Sequence, residues 1–147
     1  MTGSWRWLEH TADVGLEAEA EGLPALFATV AEATLALLLE RPPSGGRGRR
    51  RVLLSAPDLE GLLVRWVDEI LFLVQTRAFV PARCSVRLEG PGPEGGWRLE
   101  ARLAGSRLDR VAMGFRGEVK AATRHRLSVA RETTAGGRWR ARLFLDV

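Results

Sequence analysis

The stretch Leu59-Glu-Gly-Leu-Leu-Val-Arg-Trp-Val-Asp-Glu-Ile-Leu-Phe-Leu-Val-Gln75 carries the clearest structural pattern in the chain. Its apolar residues recur at the i, i+3, i+4 and i+7 spacing of one helix face: Leu59, Leu62, Leu63, Trp66, Val67, Ile70, Leu71 and Val74. Asp58 directly precedes them and can accept from the free amides of a first turn. The stretch therefore predicts a long helix that begins after Asp58 and whose apolar stripe covers a sheet.

A second helix is predicted upstream of this one. Leu23, Leu26, Phe27, Val30, Thr34, Leu37 and Leu38 recur at helical spacing. Pro24 is tolerated in the first turn of a helix, and Pro42 and Pro43 end the pattern. Two strand-like segments, Trp5–Glu9 and Leu16–Glu21, precede this helix and flank a turn at His10–Gly15.

The remaining segments indicate strands joined by Gly- and Pro-rich turns. They are Arg51–Ala56, Ala82–Glu89, Trp97–Ala104, Leu127–Glu132 and Arg138–Val147. We therefore predict one α+β domain over residues 1–147. It is a two-layer sandwich, in which two main helices pack on one face of a mostly antiparallel or mixed sheet.

Composition narrows the possible classes of protein. The chain has 147 residues, 46% of them hydrophobic, and Cys84 is its only cysteine, which excludes an intrachain disulfide and a thiolate metal cluster. The N-terminal residues lack the apolar core of a signal peptide, and no apolar run is longer than the five residues Leu35–Leu39, which is far too short to span a bilayer. These features predict a soluble cytoplasmic protein.

The formal net charge is +4, but basic and acidic residues alternate along most of the chain. The exception is the loop Arg41–Arg51, which contains Arg47, Arg49, Arg50 and Arg51. This loop is either a solvated flexible linker or a contact for phosphates. Lys120 is the one lysine among 22 basic residues, so it either fills a position that requires a compact ammonium or has persisted by chance.

Two polar loops are candidates for chemistry, since the phosphate-binding, dinucleotide-binding and common hydrolase motifs are all missing. The first is His10–Gly15, where His10 and Asp13 lie in one turn. The second is Gly114–His125, with Glu118, Lys120 and His125. Asp146 lies near the end of the last predicted strand, and its carboxylate suits a hard cation such as calcium or magnesium.

Four segments together resemble the archease family, and they occur in the same order over nearly the whole chain. They are Glu9-His-Thr-Ala-Asp-Val-Gly15, Leu63-Val-Arg-Trp-Val-Asp-Glu-Ile-Leu-Phe-Leu73, Gly117-Glu-Val-Lys-Ala-Ala-Thr-Arg-His125 and Leu145-Asp-Val147. The arginine-rich loop Arg41–Arg51 is more basic than is expected for that family.

The resemblance implies a non-enzymatic protein cofactor of an RtcB-type RNA ligase, which joins RNA ends in tRNA splicing and RNA repair. Such a cofactor promotes GTP-dependent guanylylation of the ligase and its repeated turnover. The resemblance also implies a divalent cation held by Asp13, Asp146 and the terminal Val147, with calcium expected in isolation and magnesium or manganese as alternatives. tRNA or other RNA is then a partner only through the ligase.

The remaining candidates are expected to line this site or contact the partner: His10, Glu69, Glu118, Lys120 and His125. Each has a simpler interpretation. Asp13 can organise its own turn by accepting local amides. His10 can be a core histidine, and Asp68 and Glu69 fall on or beside the solvent face of the long helix. Glu118, Lys120 and His125 can belong to an ordinary surface.

Two rival functions remain open from the residues alone. His10 and Asp13 could belong to a metal-dependent phosphoesterase, which predicts turnover by the isolated protein. The basic loop 41–51 could make the chain an RNA-binding module, which predicts steeply salt-dependent binding in the absence of a ligase.

Overall fold

The fold is described from a computed structural model, which defines residues 3–8, 13–132 and 137–147. The described elements in chain order are β1 (Gly3–Leu8), β2 (Asp13–Ala20), α1 (Leu23–Leu38), β3 (Gly48–Ala56), α2 (Leu59–Gln75), β4 (Phe79–Glu89), β5 (Trp97–Arg107), β6 (Ala121–Arg131) and β7 (Trp139–Asp146).

Helix α2 follows the pattern that predicted it. The Asp58 side chain accepts from the backbone N–H of Gly61 at 2.7 Å, which caps the first turn. Trp66 is fully buried, and its indole N–H donates to the carbonyl of Phe27 in α1 at 2.8 Å. This bond joins the two helices inside the core and satisfies the one polar group of the indole.

The strands form two antiparallel sheets, and each helix contacts strands of both. The order is β1-β2-β7-β6 in the four-stranded sheet and β3-β5-β4 in the three-stranded sheet. Helix α1 contacts β1, β2, β4 and β7, whereas α2 contacts β3, β4, β5 and β6. The prediction of an α+β fold with two main helices on antiparallel strands is confirmed. The strands are divided between two sheets, a division that alternation cannot reveal because it sets the buried face of a strand and not its neighbour.

Two predicted loops end earlier than the sequence indicated. Strand β3 begins at Gly48, so three of the four clustered arginines lie on a strand rather than in a flexible linker. Strand β6 begins at Ala121, within the predicted loop Gly114–His125. Exposed edge strands can carry long charged side chains, so a polar sequence alone did not distinguish them from loops.

Neither helix of the described part of the chain combines the length and apolar character that crossing a membrane requires.

A candidate cation site on paired strand ends

Asp13 and Asp146 lie directly opposite each other on neighbouring strands. Strand β2 pairs antiparallel with β7, and the register joins Asp13 to Asp146, then Val14 to Leu145 and Gly15 to Phe144. Directly opposed residues project from the same face of a sheet, with Cβ atoms about 4.5–5.5 Å apart. The pairing thus brings together two carboxylates from opposite ends of the chain.

The two carboxylates project from the outer face of the four-stranded sheet, away from the helices. The inward residues of β2 and β7 alternate with them and include Leu16 and Leu143, both fully buried. Asp13 and Asp146 are themselves partly exposed, and neither side chain forms an ion pair or hydrogen bond with the described residues. Opposed like charges repel, so a cation bound between the two carboxylates would stabilise the pair.

Val147 and Lys120 are the backbone neighbours of Asp146. Val147 follows it directly and is 51% exposed. The carbonyl oxygen of Asp146 accepts from the backbone N–H of Lys120 at 2.8 Å. This bond fixes the backbone at Asp146 and places Lys120 at the same end of the sheet.

The segment that carries Glu118 and Lys120 is fixed by the last residue of α2. The Gln75 side chain accepts from the N–H of Val119 at 2.7 Å and donates to the carbonyl of Val119 at 2.8 Å. Val119 is buried by this arrangement, whereas Glu118 and Lys120 on either side of it are exposed. The two charged side chains therefore project into solvent from a fixed backbone.

His125 reaches the outer face through an irregularity in β6. The register passes from Thr123 opposite Phe144 to Ser128 opposite Arg142, so four residues of β6 face a single residue of β7. Arg126 within this bulge has a φ of 54°. The His125 ring lies 5.9 Å from the Phe144 ring, edge to face. Phe144 is two register positions from Asp146 on the same outer face of β7, so His125 lies on the face that carries the aspartate pair.

Asp68 joins α2 to the beginning of β6. Its carboxylate accepts from the backbone N–H of Ala122 at 2.9 Å, and burial raises the pKa of this group above its usual value. The sequence placed Asp68 on or beside the solvent face, but the side chain is half-buried against a strand. No contact between described residues links the neighbouring Glu69 to the aspartate pair.

The sequence therefore missed Asp68, Gln75 and Phe144. Asp68 and Gln75 are polar residues of helix α2. A polar residue on an amphipathic helix is only a weak signal that its side chain contacts another segment of the chain. No sequence pattern marked Phe144, because its role is to pack against other side chains on the outer face of a sheet. His10 lies outside the described residues.

The available ligands suit an open site for a hard cation. Within residues 3–8, 13–132 and 137–147, no three side chains of the types His, Cys, Asp and Glu are grouped so as to hold a metal ion. The two aspartates and Val147 would offer a cation oxygen atoms alone, which calcium, magnesium and manganese accept together with water. Such a set leaves positions free for water or for a group from another molecule.

Comparison with known proteins assigns the family. The Archease protein family (MTH1598/TM1083) matches residues 5–147. Protein archease of Methanosarcina mazei is 34% identical over 143 residues, covering 97% of this chain and 95% of that protein. Protein archease of Pyrococcus abyssi is 31% identical over 143 residues, covering 97% and 98%.

The fold agrees with this assignment. The solution structure of Methanobacterium thermoautotrophicum protein 1598 matches with a TM-score of 0.76 and 26% identity, covering 97% of this chain and 98% of that one. The chain belongs to the archease family, which confirms the resemblance found in its sequence motifs.

Proposed function

We propose that this protein is a non-enzymatic activator of an RtcB-type RNA ligase. In this role it promotes GTP-dependent guanylylation of the ligase and repeated turnover, in tRNA splicing or RNA repair. The observation that carries the proposal is the pairing of Asp13 with Asp146 on an exposed sheet face. Membership of the archease family supports it.

The paired aspartates and Val147 would hold the divalent cation, with calcium in the isolated protein and magnesium or manganese as alternatives. A divalent cation neutralises charge on phosphate oxygens and orients them for nucleotidyl transfer. Asp13 and Asp146 supply the negative charge that retains it. Because the described residues leave the site open, a group from the ligase or its nucleotide can complete the coordination.

The residues around the pair would make the partner contacts. Lys120 projects from a backbone fixed by Gln75 and Asp146, so its ammonium is suited to meet a phosphate or a carboxylate of the ligase. His125 lies on the adjacent bulge, and Glu118 is exposed two residues from Lys120. Glu69 and His10, which belong to the family motifs, are further candidates for contact with the ligase.

A ligation assay under multiple-turnover conditions tests the proposal. The ligase is incubated with RNA ends at several GTP and metal concentrations, with and without this protein. We expect the wild-type chain to raise turnover and Asp13→Asn and Asp146→Asn to abolish the stimulation. Glu94→Gln is the matched control, because Glu94 is exposed in the turn between β4 and β5 and removing its charge leaves the pair intact.

Unchanged turnover on adding the wild-type protein contradicts the proposed function. Full stimulation by both aspartate variants contradicts the role of the pair. Hydrolysis of a phosphodiester by the isolated protein with manganese, lost in Asp13→Asn, would favour the phosphoesterase instead.

A further inference from the structure

The outer face of the three-stranded sheet is rich in arginine. In the register of β3, β5 and β4, alternate residues share this face, while Leu99, Ala101 and Leu103 of β5 point inward and are buried. We call the outward set the arginine face: Arg49, Arg51, Leu53, Ser55, Arg83, Ser85, Arg87, Glu89, Arg98, Glu100, Arg102 and Ala104. It contains six arginines and two glutamates.

The positive charge of the chain is concentrated here. The arginine face has an excess of four positive charges, which equals the formal net charge of the whole chain, +4. The rest of the molecule is therefore balanced overall. A charge of one sign on one open face attracts a polyanion over distances up to a Debye length.

The two glutamates leave much of this charge uncompensated. Glu100 accepts from Arg51 at 2.8 Å and lies 3.8 Å from Arg87, and Glu89 pairs with Arg98 at 3.3 Å. The hydrogen bond from Arg51 lowers the pKa of Glu100, and the charges of Arg102 and Arg87 lower it further.

Arg83 and Arg102 are exposed on the same face. Neither forms an ion pair with any residue that the structure describes.

The outer face of the four-stranded sheet shows the opposite arrangement. Its arginines share their acids, with Arg6 and Arg142 both on Glu17 at 2.9 and 2.7 Å. Arg138 and Arg140 both contact Glu19, and Arg140 also contacts Glu132. In the described part of the chain, the arginines on the outer face of the four-stranded sheet are therefore paired with acidic residues, whereas Arg83 and Arg102 of the arginine face are not.

We propose that the arginine face binds nucleic acid through its phosphodiester backbone. Guanidinium groups donate two parallel hydrogen bonds to phosphate oxygens, and adjacent strands place them about 4.8 Å apart, so several phosphates are contacted at once. The face carries no aromatic residue on which a base could stack, so the contacts are independent of sequence.

An acidic protein is a poorer match to this surface. Protein interfaces are built around an apolar centre in which charged residues are depleted. The arginine face offers one exposed apolar side chain of any size, Leu53, which is 63% exposed. The binding of nucleic acid does not depend on activation of a ligase, so the two proposals can fail separately.

Fluorescence anisotropy with the full chain and labelled single-stranded RNA tests this proposal. The RNA is longer than the roughly 16 nucleotides that one small single-strand-binding fold covers. We expect log affinity to fall linearly with log salt concentration, by about 0.7 for each phosphate contacted. DNA of the same sequence should bind with similar affinity, because phosphate contacts do not use the 2′-hydroxyl.

The double variant Arg83→Gln/Arg102→Gln should bind roughly tenfold more weakly at low salt, with a shallower salt dependence. The matched control is Arg6→Gln/Arg140→Gln, which removes the same charge from the other sheet and leaves Glu17 and Glu19 one arginine each. Far-ultraviolet circular dichroism verifies that both variants are folded.

Three results would overturn the proposal. They are wild-type affinity in Arg83→Gln/Arg102→Gln, an equal loss of affinity in the control, and equal or tighter binding of polyglutamate, which would assign an acidic protein as the partner.

Discussion

Gly15 shows at the scale of a residue how the aspartate pair is kept in register. It lies opposite Phe144, two pairs beyond Asp13 and Asp146. A Cβ atom at this position would lie 2.7 Å from both the Leu8 Cβ and the Phe144 ring, closer than real Cβ contacts. The outer-face aromatic ring therefore requires glycine beneath it.

Gly15→Ala should destabilise the fold by about 1–3 kcal/mol, since overpacking forces the strands or the Phe144 ring to move. Urea unfolding followed by circular dichroism measures the loss. Gly45→Ala is the control, because nothing lies within 4 Å of a Cβ there. Equal unfolding midpoints for the two variants would contradict the close packing of Leu8 and Phe144 against Gly15.

The sequence could indicate the two aspartates and not their surroundings. Asp13 and Asp146 lie at the ends of segments in which apolar and polar residues alternate. Such alternation predicts a strand and therefore the position of its polar end. The approach of His125 to Phe144 depends on the four-residue bulge in β6, for which the sequence has no glycine or proline signal at the positive-φ residue, Arg126. The sequence therefore indicates the two aspartates of the candidate site, but not which side chains lie around them.

At the scale of elements, the segment 113–120 joins both helices to the candidate site. The N–H groups of Glu40 and Arg41 donate to Gly114 and Met113, and the N–H of Arg116 donates to Leu38 at the end of α1. At its other end, Gln75 of α2 holds Val119. The segment has little regular secondary structure, and these bonds take the place of a strand ladder.

Gln75→Leu should remove both bonds to Val119 and lower the free energy of unfolding by about 1–3 kcal/mol, because a buried peptide group loses its partners. Amide hydrogen exchange at Val119 should accelerate. Thr76→Ala, at the exposed next position, is the control. Unchanged protection of the Val119 amide in Gln75→Leu would refute this role.

At the scale of the molecule, the division of the strands into two sheets gives two outer faces of different electrostatic character. Binary patterning predicted the helices, most strands and the α+β class. It did not predict which strands pair, because β1 and β2 join the distant β6 and β7 through long-range contacts.

The ion pairs on the outer face of the four-stranded sheet should contribute to stability above pH 4.5. Glu17 is 5% exposed, and its hydrogen bonds to Arg142 and then Arg6 lower its pKa from the ordinary value of 4.5. The native state thus binds fewer protons than the unfolded chain just below pH 4.5, so the stabilisation disappears as the pH falls through the native pKa.

Glu17→Gln should lower the free energy of unfolding by about 1–3 kcal/mol at pH 7. It should also reduce the further loss of stability as the pH falls below 4.5, which is the acid limb of the stability profile. Asp68, whose pKa is raised, contributes with the opposite sign, so the difference between variant and wild type isolates Glu17. Urea unfolding from pH 3 to pH 7 measures it, with the exposed Glu21→Gln as control. Identical acid limbs in Glu17→Gln and wild type would contradict the assignment.

Calorimetric titration of the chelator-treated protein with calcium, magnesium and manganese tests directly whether Asp13 and Asp146 hold a divalent cation. Asp13 and Asp146 together should bind one divalent cation in the wild-type chain, and Asp13→Asn or Asp146→Asn should weaken it at least roughly tenfold, since each removes a charged ligand. Glu94→Gln should bind as the wild type does. Wild-type affinity in both aspartate variants, or no binding of any of the three cations to the wild-type chain, would contradict the claim.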